Sequence, residues 1–223
     1  MASKQAQKQS ITLKGSTALV TEFFKYAVNT ILFQREVYPS DDFQMVKKYG
    51  QTLLVTQDLA LENYLERRYV YRLMRMRRQL SHPKDWLLAG TVTQLVLAII
   101  SKDTRTPLER WVFDIKLSGI SATDTSLMVT CRRPPKPDSE IQSEIRAILK
   151  QIISMVTYLP VIQEPTVFNI LAYTSDSAEI PAGEWVDTDP LAIEASKSQQ
   201  VKMRSFSTDV HRIEAMVAYR YEG

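Results

Sequence analysis

Glycine, cysteine and histidine are scarce in this sequence, and each shortage excludes a class of function. Cys131 is the only cysteine among 223 residues, so an intrachain disulfide is impossible and a reducing compartment is expected. The six glycines are scattered, which argues against the glycine-rich loops that bind phosphates or dinucleotides. His82 and His211 are far apart and have no ligand spacing around them, so we expect no metal site.

Patterns that indicate catalysis are also lacking. No combination of serine, histidine and carboxylate residues can be nominated from the sequence, and Cys131 is interpreted as an incidental loop thiol. We therefore expect that the protein is not an enzyme and has no catalytic residues and no cofactor.

Long apolar runs are absent as well. The longest unbroken run, Leu95 to Ile100, falls far short of the roughly 20 residues that a membrane-spanning helix needs. The N-terminus, MASKQAQKQS, has no apolar core of a secretory signal, so we expect a cytosolic or nuclear protein. Hydrophobic residues make up 44% of the chain and charged residues 24%, which is ordinary for a globular protein with a sizeable core. The net charge of +3 is too small to indicate a nucleic-acid partner by itself.

The strongest pattern is an amphipathic stretch from Asp138 to Leu159. Its apolar residues recur at steps of three and four, which predicts a long helix that packs on a sheet. We expect Asp138 or Ser139 to cap the first turn and Pro160 to stop the helix. The opposite face is expected to be solvated surface or, alternatively, a docking surface; it carries Arg146, Lys150, Gln151, Ser154 and Tyr158.

Three further helices are predicted on the N-terminal side of this stretch. An apolar stripe indicates a helix from about Gly15 to Gln34, and the turn at residues 38–41 is expected to open a short helix that ends before Gly50. Residues 52–56 (TLLVT) are typical of a short strand, after which Asp58 opens a third helix.

The remaining apolar runs predict strands. Leu95 to Ile100 is apolar throughout, as expected for a strand that is covered on both faces. At residues 110–117 the large apolar side chains occupy every second position, at Trp111, Phe113, Ile115 and Leu117, as expected for a strand with one apolar face. We expect these two runs to form an antiparallel hairpin, and we expect further strands at Thr166–Thr174, Val201–Ser207 and Ile213–Tyr221. The predicted fold class is α+β, with helices packed on one face of a mostly antiparallel sheet.

A basic stretch interrupts this regular pattern. Tyrosine, leucine and methionine residues alternate with its arginines, a composition that suits a nucleic acid or an acidic protein surface. A helix whose cationic side chains lie over its own aromatic residues is an alternative, and an insert outside the fold is another. The arginines concerned are Arg67, Arg68, Arg72, Arg75, Arg77 and Arg78.

Four motifs together resemble a known family. They are ITLKGS at residues 11–16, ILFQREVYPS at 31–40, LERWVFDI at 108–115 and RSFSTDVHRIEAMVAY at 204–219. On these motifs the chain resembles the HORMA-domain spindle assembly checkpoint proteins, the mitotic arrest-deficient protein two family, over roughly Ile11 to Tyr221. The resemblance implies a flexible N-terminus at residues 1–10 and a single HORMA domain at 11–223. The sequence departs from the family pattern in two places. The stretch from about Arg67 to Pro83 is longer than usual, and Lys150 replaces the customary arginine.

The family resemblance implies an adaptor that switches between two conformers. In the open form, a C-terminal hairpin occupies the edge of the strand Thr166–Thr174. In the closed form, the hairpin lies beside the strand at 107–117, and a partner peptide adds to the vacated edge beneath a belt formed by residues 175–223. Such a protein helps to inhibit the activator of the anaphase-promoting complex until chromosomes attach.

The resemblance also implies roles for individual residues. The partner-peptide edge comprises Thr166, Val167, Phe168, Asn169, Ile170, Leu171, Ala172, Tyr173 and Thr174. The belt residues are Trp185, Met203, Phe206, His211, Met216, Val217 and Tyr219, and the conformer switch involves Leu13 and Trp86. An open copy and a closed copy are expected to dimerise through Lys150, Gln151, Thr157, Tyr158 and Arg204.

The resemblance implies particular partners and locations. The partners are mitotic arrest-deficient protein one and the activator of the anaphase-promoting complex, both bound through short peptides, together with other subunits of the mitotic checkpoint complex. A AAA+ remodelling ATPase acts with its own HORMA adaptor, and no membrane partner is expected. The expected locations are the nucleus, the kinetochore and the cytoplasm. Two other functions stay open at this stage, a HORMA adaptor of a translesion DNA polymerase and a nucleic-acid-binding module that uses Arg67–Arg78.

Overall fold

We analysed a computed structural model of the protein, which describes residues 13–66, 92–118, 136–175 and 188–221. The side chains of Leu13 and Lys14 are not among the described parts. The basic stretch Arg67–Arg78, Trp86, Cys131 and Trp185 also lie outside these ranges.

The described residues form three α-helices and seven strands. They are α1 (Leu13–Gln34), β1 (Phe43–Lys48), β2 (Gln51–Thr56), α2 (helical over residues 59–66), β3 (Val92–Ser101), β4 (Pro107–Leu117), α3 (Asp138–Met155), β5 (Thr166–Thr174), β6 (Ser198–Ser207) and β7 (His211–Arg220). None of the described helices has the length and apolar character needed to cross a membrane.

Five of the strands form one antiparallel sheet in the order β5-β3-β4-β7-β6, while β1 and β2 form a separate hairpin. β3 and β4 are the predicted hairpin, in which Leu97 is opposite Trp111. On the other side of β3, Leu97 is opposite Ile170 of β5. The sheet therefore has two edges, β5 and β6.

The main core lies between one face of this sheet and the helices α1 and α3. Phe23 and Phe24 of α1 both pack edge-on against Phe113 of β4, with ring centroids 5.9 and 5.5 Å apart. The Phe23 and Phe24 rings are tilted against each other at 5.5 Å. The apolar face of α3 is completely buried, because Ile141, Ile145, Ile148, Leu149 and Ile152 are at most 1% exposed. The α+β prediction, with helices on one face of an antiparallel sheet, is confirmed.

Three predictions about local structure are wrong. The region after the turn at 38–41 is not a helix, because a single 3-10 turn (Ser40–Asp42) leads directly into the β1–β2 hairpin. The residue before α3 is Pro137, and neither Asp138 nor Ser139 is its N-cap. The helix ends at Met155, five residues before Pro160. The chain continues there in turns, in which the N–H groups of Tyr158 and Leu159 both donate to the Met155 carbonyl.

The prediction that Arg146 lies on a solvated face is also wrong. Its Nε donates to the Tyr49 carbonyl at 2.5 Å, and its guanidinium covers Gly50 in the β1–β2 turn. Arg146 therefore joins α3 to this hairpin.

Candidate peptide-binding edge

The position of the C-terminal hairpin decides which edge of the sheet is free. β7 pairs with β4 along its length, from Glu109 opposite Tyr219 to Leu117 opposite His211, and β6 pairs with β7. β5 pairs only with β3 among the described strands. The hairpin therefore has the position beside 107–117 that the family resemblance gives for the closed form.

One face of β5 meets an aromatic wall. The Phe168 ring lies 6.0 Å from the Tyr38 ring and 5.6 Å from the Tyr64 ring, both in edge-on geometry. Burial, reinforced by nearby Asp58, raises the pKa of Tyr38, so its phenol stays neutral. Ile170 continues the same face into the main core at 3% exposure. This side of the edge can therefore receive apolar side chains.

The backbone of β5 already has one local partner at its centre. Asn169 Oδ1 accepts a hydrogen bond of 2.9 Å from the Ile170 N–H. A side chain that satisfies a strand N–H in this way protects an edge against unselective pairing.

The hairpin is attached to the main core by buried side chains. Phe206 of β6 is 1% exposed, and its ring lies 4.9 Å from Phe23 of α1. Val217 of β7 is fully buried. Met203 and Tyr219 are partly buried against the same core, whereas Met216 packs on the other face of the sheet. Of the seven predicted belt residues, these five and His211 are among those that the structure describes.

A buried polar cluster fixes the turn between β6 and β7. Ser16 Oγ shares hydrogen bonds of 2.6 Å with both Thr208 Oγ1 and His211 Nδ1. Thr208 Oγ1 also accepts the His211 N–H at 2.8 Å. Burial lowers the pKa of His211 to about 4, so the imidazole is neutral at physiological pH. The start of α1 is thereby linked to the hairpin.

Comparison with known proteins gives the family. The family model described as the HORMA domain matches residues 16–211. A protein named mitotic spindle assembly checkpoint protein MAD2A, from Dictyostelium discoideum, is 45% identical over 96% of this chain and 96% of its own length. The chain belongs to the MAD2 family of HORMA-domain proteins.

Other MAD2 family members and solved structures agree with this assignment. Human MAD2A is 38% identical over 99% of this chain and 98% of its own. A chain in a crystal structure of the mitotic checkpoint complex is 38% identical and superposes with a TM-score of 0.75 over 92% of this chain and 99% of its own. C. elegans HTP-2 bound to an HTP-3 closure motif is 10% identical with a TM-score of 0.72 over 100% of this chain and 95% of its own, which shows the shared fold alone. The polymerase-adaptor alternative is not favoured.

MAD2 family resemblance nominates five residues for dimerisation: Lys150 and Gln151 on α3, Thr157 and Tyr158 in the turns that follow it, and Arg204 on β6. Gln151 Oε1 accepts the Arg204 N–H at 2.8 Å, so α3 binds β6 directly. Arg204 lies at a register shift between β6 and β7. Lys150 and Thr157 are exposed, and Tyr158 is 74% exposed. The structure thus joins Gln151 to Arg204 and leaves Lys150, Thr157 and Tyr158 exposed.

The start of α3 makes further contacts with the hairpin that the sequence did not indicate. Lys136 Nζ lies 2.6 Å from Glu144 Oε2 and donates to Ser207 Oγ at 3.1 Å. Glu144 Oε2 also accepts the Ser207 N–H at 3.0 Å, and Asp209 Oδ1 accepts the Lys136 N–H at 2.9 Å. Charged residues near the start of a helix carry no signal of such partners, because the partners are 63 to 73 residues away in the sequence.

A buried ion pair was missed for the same reason. Arg35 and Glu109 are 5% and 2% exposed at their side chains, and their charged atoms are 2.5 Å apart. Glu109 also accepts the Trp111 Nε1–H at 3.0 Å, while Arg35 donates to the Pro160 carbonyl at 2.6 Å. Burial raises the pKa of Glu109, against the lowering effect of the Arg35 guanidinium. The network joins the end of α1, β4 and the α3–β5 connection.

The two residues predicted to control the conformer are placed only in part. Leu13 is the first residue of α1, and Trp86 lies outside the described residues. Within the described ranges, no group of three or more histidine, cysteine, aspartate or glutamate side chains could hold a metal ion. The described site consists of a strand edge, an aromatic surface beside it and a hairpin held in place by buried contacts. These features are suited to binding.

Proposed function

We propose that this protein is a spindle assembly checkpoint adaptor that captures a partner peptide as an added strand on β5. The observation that carries the proposal is the closed position of the β6–β7 hairpin beside β4, which leaves β5 with β3 as its described neighbour. A peptide that joins such an edge gains backbone hydrogen bonds whatever its sequence, and alternate side chains supply specificity.

The side chains around β5 favour a peptide with apolar residues at alternate positions. Residues of a strand point alternately to the two faces of a sheet. Side chains on the helix-side face would meet Phe168, Tyr38 and Tyr64, which offer aromatic surface. A carbonyl of the peptide would replace Asn169 Oδ1 as the acceptor for the Ile170 N–H. The proposed ligand is therefore an extended apolar segment.

The belt would make release slow. Residues 175–197 connect the end of β5 to β6 on the far side of the sheet, so a peptide beneath this connection leaves only when part of the belt detaches. Differences in affinity between related complexes are mostly differences in dissociation rate. We propose that the peptides come from mitotic arrest-deficient protein one and from the activator of the anaphase-promoting complex, at kinetochores and in the nucleus or cytoplasm.

The proposal includes two conformers and a dimer. An open form would place the hairpin on the β5 edge, and conversion to the closed form would vacate that edge. An open and a closed copy would meet through Lys150, Gln151, Thr157, Tyr158 and Arg204, and a AAA+ ATPase with its adaptor would return the closed form to the open one. The Gln151–Arg204 hydrogen bond supports this surface, because it is made only while β6 lies against α3.

Hydrogen exchange with a bound peptide tests the proposal. A labelled synthetic peptide from mitotic arrest-deficient protein one should bind saturably and slow amide exchange at residues 166–174. The matched control is the same peptide with its alternate apolar residues replaced by serine, which should bind far more weakly. Tight binding without protection at residues 166–174 would place the peptide elsewhere and overturn the proposal.

A further inference from the structure

The face of the sheet opposite α1 and α3 carries a small apolar cluster, here called the back-face cluster. Its buried members are Val96, Val112 and Leu171 on three neighbouring strands. Tyr173 of β5, Met216 of β7 and Leu191 are partly buried against them. Leu191 is the member that comes from the connection between β5 and β6. It therefore attaches this connection to the sheet.

Leu191 has an unusual backbone conformation for a leucine. Its φ is 50°, in the left-handed region that residues with a side chain rarely adopt. Asp189 Oδ1 accepts the Leu191 N–H at 2.9 Å and holds the turn. Unfavourable backbone conformations persist where the surroundings compensate for them. Here the packing of the Leu191 side chain on the back-face cluster is the compensating interaction.

The composition of the back-face cluster links two parts of the proposed capture site. Leu171 and Tyr173 belong to β5, the proposed peptide strand, whereas Met216 belongs to β7 of the hairpin. Met216 lies opposite Val112 only because the hairpin is paired with β4. The complete surface for Leu191 therefore exists when the hairpin is in the closed position.

We propose that Leu191 is the fastening point of the belt, which holds residues 188–194 against the back of the sheet and sets how long a captured peptide stays bound. Leu191 is a positioning residue, because it acts through the belt and not by touching the peptide. The inference rests on the proposed peptide capture, but it also predicts a property of the peptide-free protein.

Three variants separate the side chain of Leu191 from its backbone. Leu191→Ala should raise the dissociation rate of the labelled partner peptide roughly tenfold, the scale set by exposing a partly buried leucine. Leu191→Gly should dissociate equally fast, although glycine adopts a positive φ without strain. Leu191→Met should restore slow release. Ile193→Ala is the matched control and should leave the rate unchanged, because Ile193 is half-buried and is not part of the back-face cluster.

Amide exchange without peptide gives an independent readout. Leu191→Ala should speed exchange at residues 188–194, whereas β6 and β7 should stay protected because Phe206 and Val217 remain in the main core. An unchanged exchange rate at 188–194, or slow peptide release in the glycine variant, would overturn the fastening role. Failure of the wild-type protein to bind peptide would instead contradict the proposed function, and the exchange result would still decide the role of Leu191.

Discussion

Ser16 Oγ and His211 Nδ1 are 2.6 Å apart although 195 residues separate them in the sequence. Thr208 completes the cluster, and all three residues are buried, with exposures of 0% for Ser16, 4% for Thr208 and 6% for His211. The bond ties the first turns of α1 to the turn of the β6–β7 hairpin. It is made here while the hairpin is paired with β4, so it stabilises this arrangement.

His211 makes the stability of the closed form depend on pH. The folded-state pKa is about 4 and the ordinary value is 6.5, so the unfolded state binds more protons between these values. The stabilisation is complete above about pH 6.5 and is lost progressively as the pH falls toward about 4, by roughly 3 kcal/mol in total. Urea unfolding at pH 7.5 and pH 5 should show this loss. His211→Asn should flatten the pH dependence in this window, and an unchanged slope would show that other groups cause it.

Position 50 requires glycine for two reasons, its backbone conformation and the close approach of the Arg146 side chain. Its φ is +66°, and a Cβ at this position would lie 2.6 Å from Nη2 of Arg146. Gly50→Ala should lower the free energy of unfolding by about 1–2 kcal/mol, because alanine is strained at positive φ and the Arg146 guanidinium must move. In Arg146→Ala the clash is absent, so the same Gly50→Ala change should cost less. Equal costs in both backgrounds, measured by denaturant unfolding, would assign the whole effect to the backbone.

In the proposed mode of capture, the peptide would compete with Asn169 Oδ1 for the Ile170 N–H. Asn169→Ala removes the competing acceptor from the free protein, so peptide should bind about threefold more tightly, within the range of one net hydrogen bond. Asn169→Asp keeps both the size of the side chain and an acceptor oxygen and is the matched control. Fluorescence titration of both variants measures the difference. Weaker binding by the alanine variant would mean that Asn169 contacts the peptide.

Leu13 should bias the balance between conformers. The family resemblance implies that residues 11–13 pair with a sheet edge in the open form, whereas here Leu13 begins α1. Leu13→Ala should therefore destabilise the open form more and shift the population toward closed, by up to the few kcal/mol of a large-to-small change. Ion-exchange separation of the two conformers gives the ratio. An unchanged ratio, or a shift toward the open form, would contradict this expectation.

The α3 face should be needed for dimerisation and not for peptide capture. Gln151→Ala with Tyr158→Ala should give a monomer that still binds peptide, because exposed aromatic and polar groups at an interface centre often dominate its affinity. Gln151 also accepts the Arg204 N–H, so the closed form should lose about 1 kcal/mol. Tyr158→Ala alone is the control that keeps this bond. Sedimentation with peptide-locked protein measures dimerisation, and a surviving dimer would return the face to ordinary surface.

Periodic burial is what made the fold predictable. The apolar steps of α3, the alternation from Trp111 to Leu117 and the apolar run of β3 each repeat a local geometry, so they identify helices and strands without knowledge of partners. The prediction failed at residues 43–48, where the polar sequence FQMVKK shows no clear period and pairing with β2 decides the structure. The cap before α3 was also misassigned, since Asp138 and Ser139 are ordinary capping residues that here lie inside the helix.

Most helices and strands and the family motifs could be identified from the sequence alone. The pairing of the β6–β7 hairpin with β4 could not, because strands of this character can pair with either edge of the sheet. Contacts distant in sequence select the edge: Ser16 with His211, Glu144 with Ser207 and Gln151 with Arg204. Each joins a polar group to a partner at least 53 residues away, and side-chain hydrogen bonds of this kind have no period that a sequence could display.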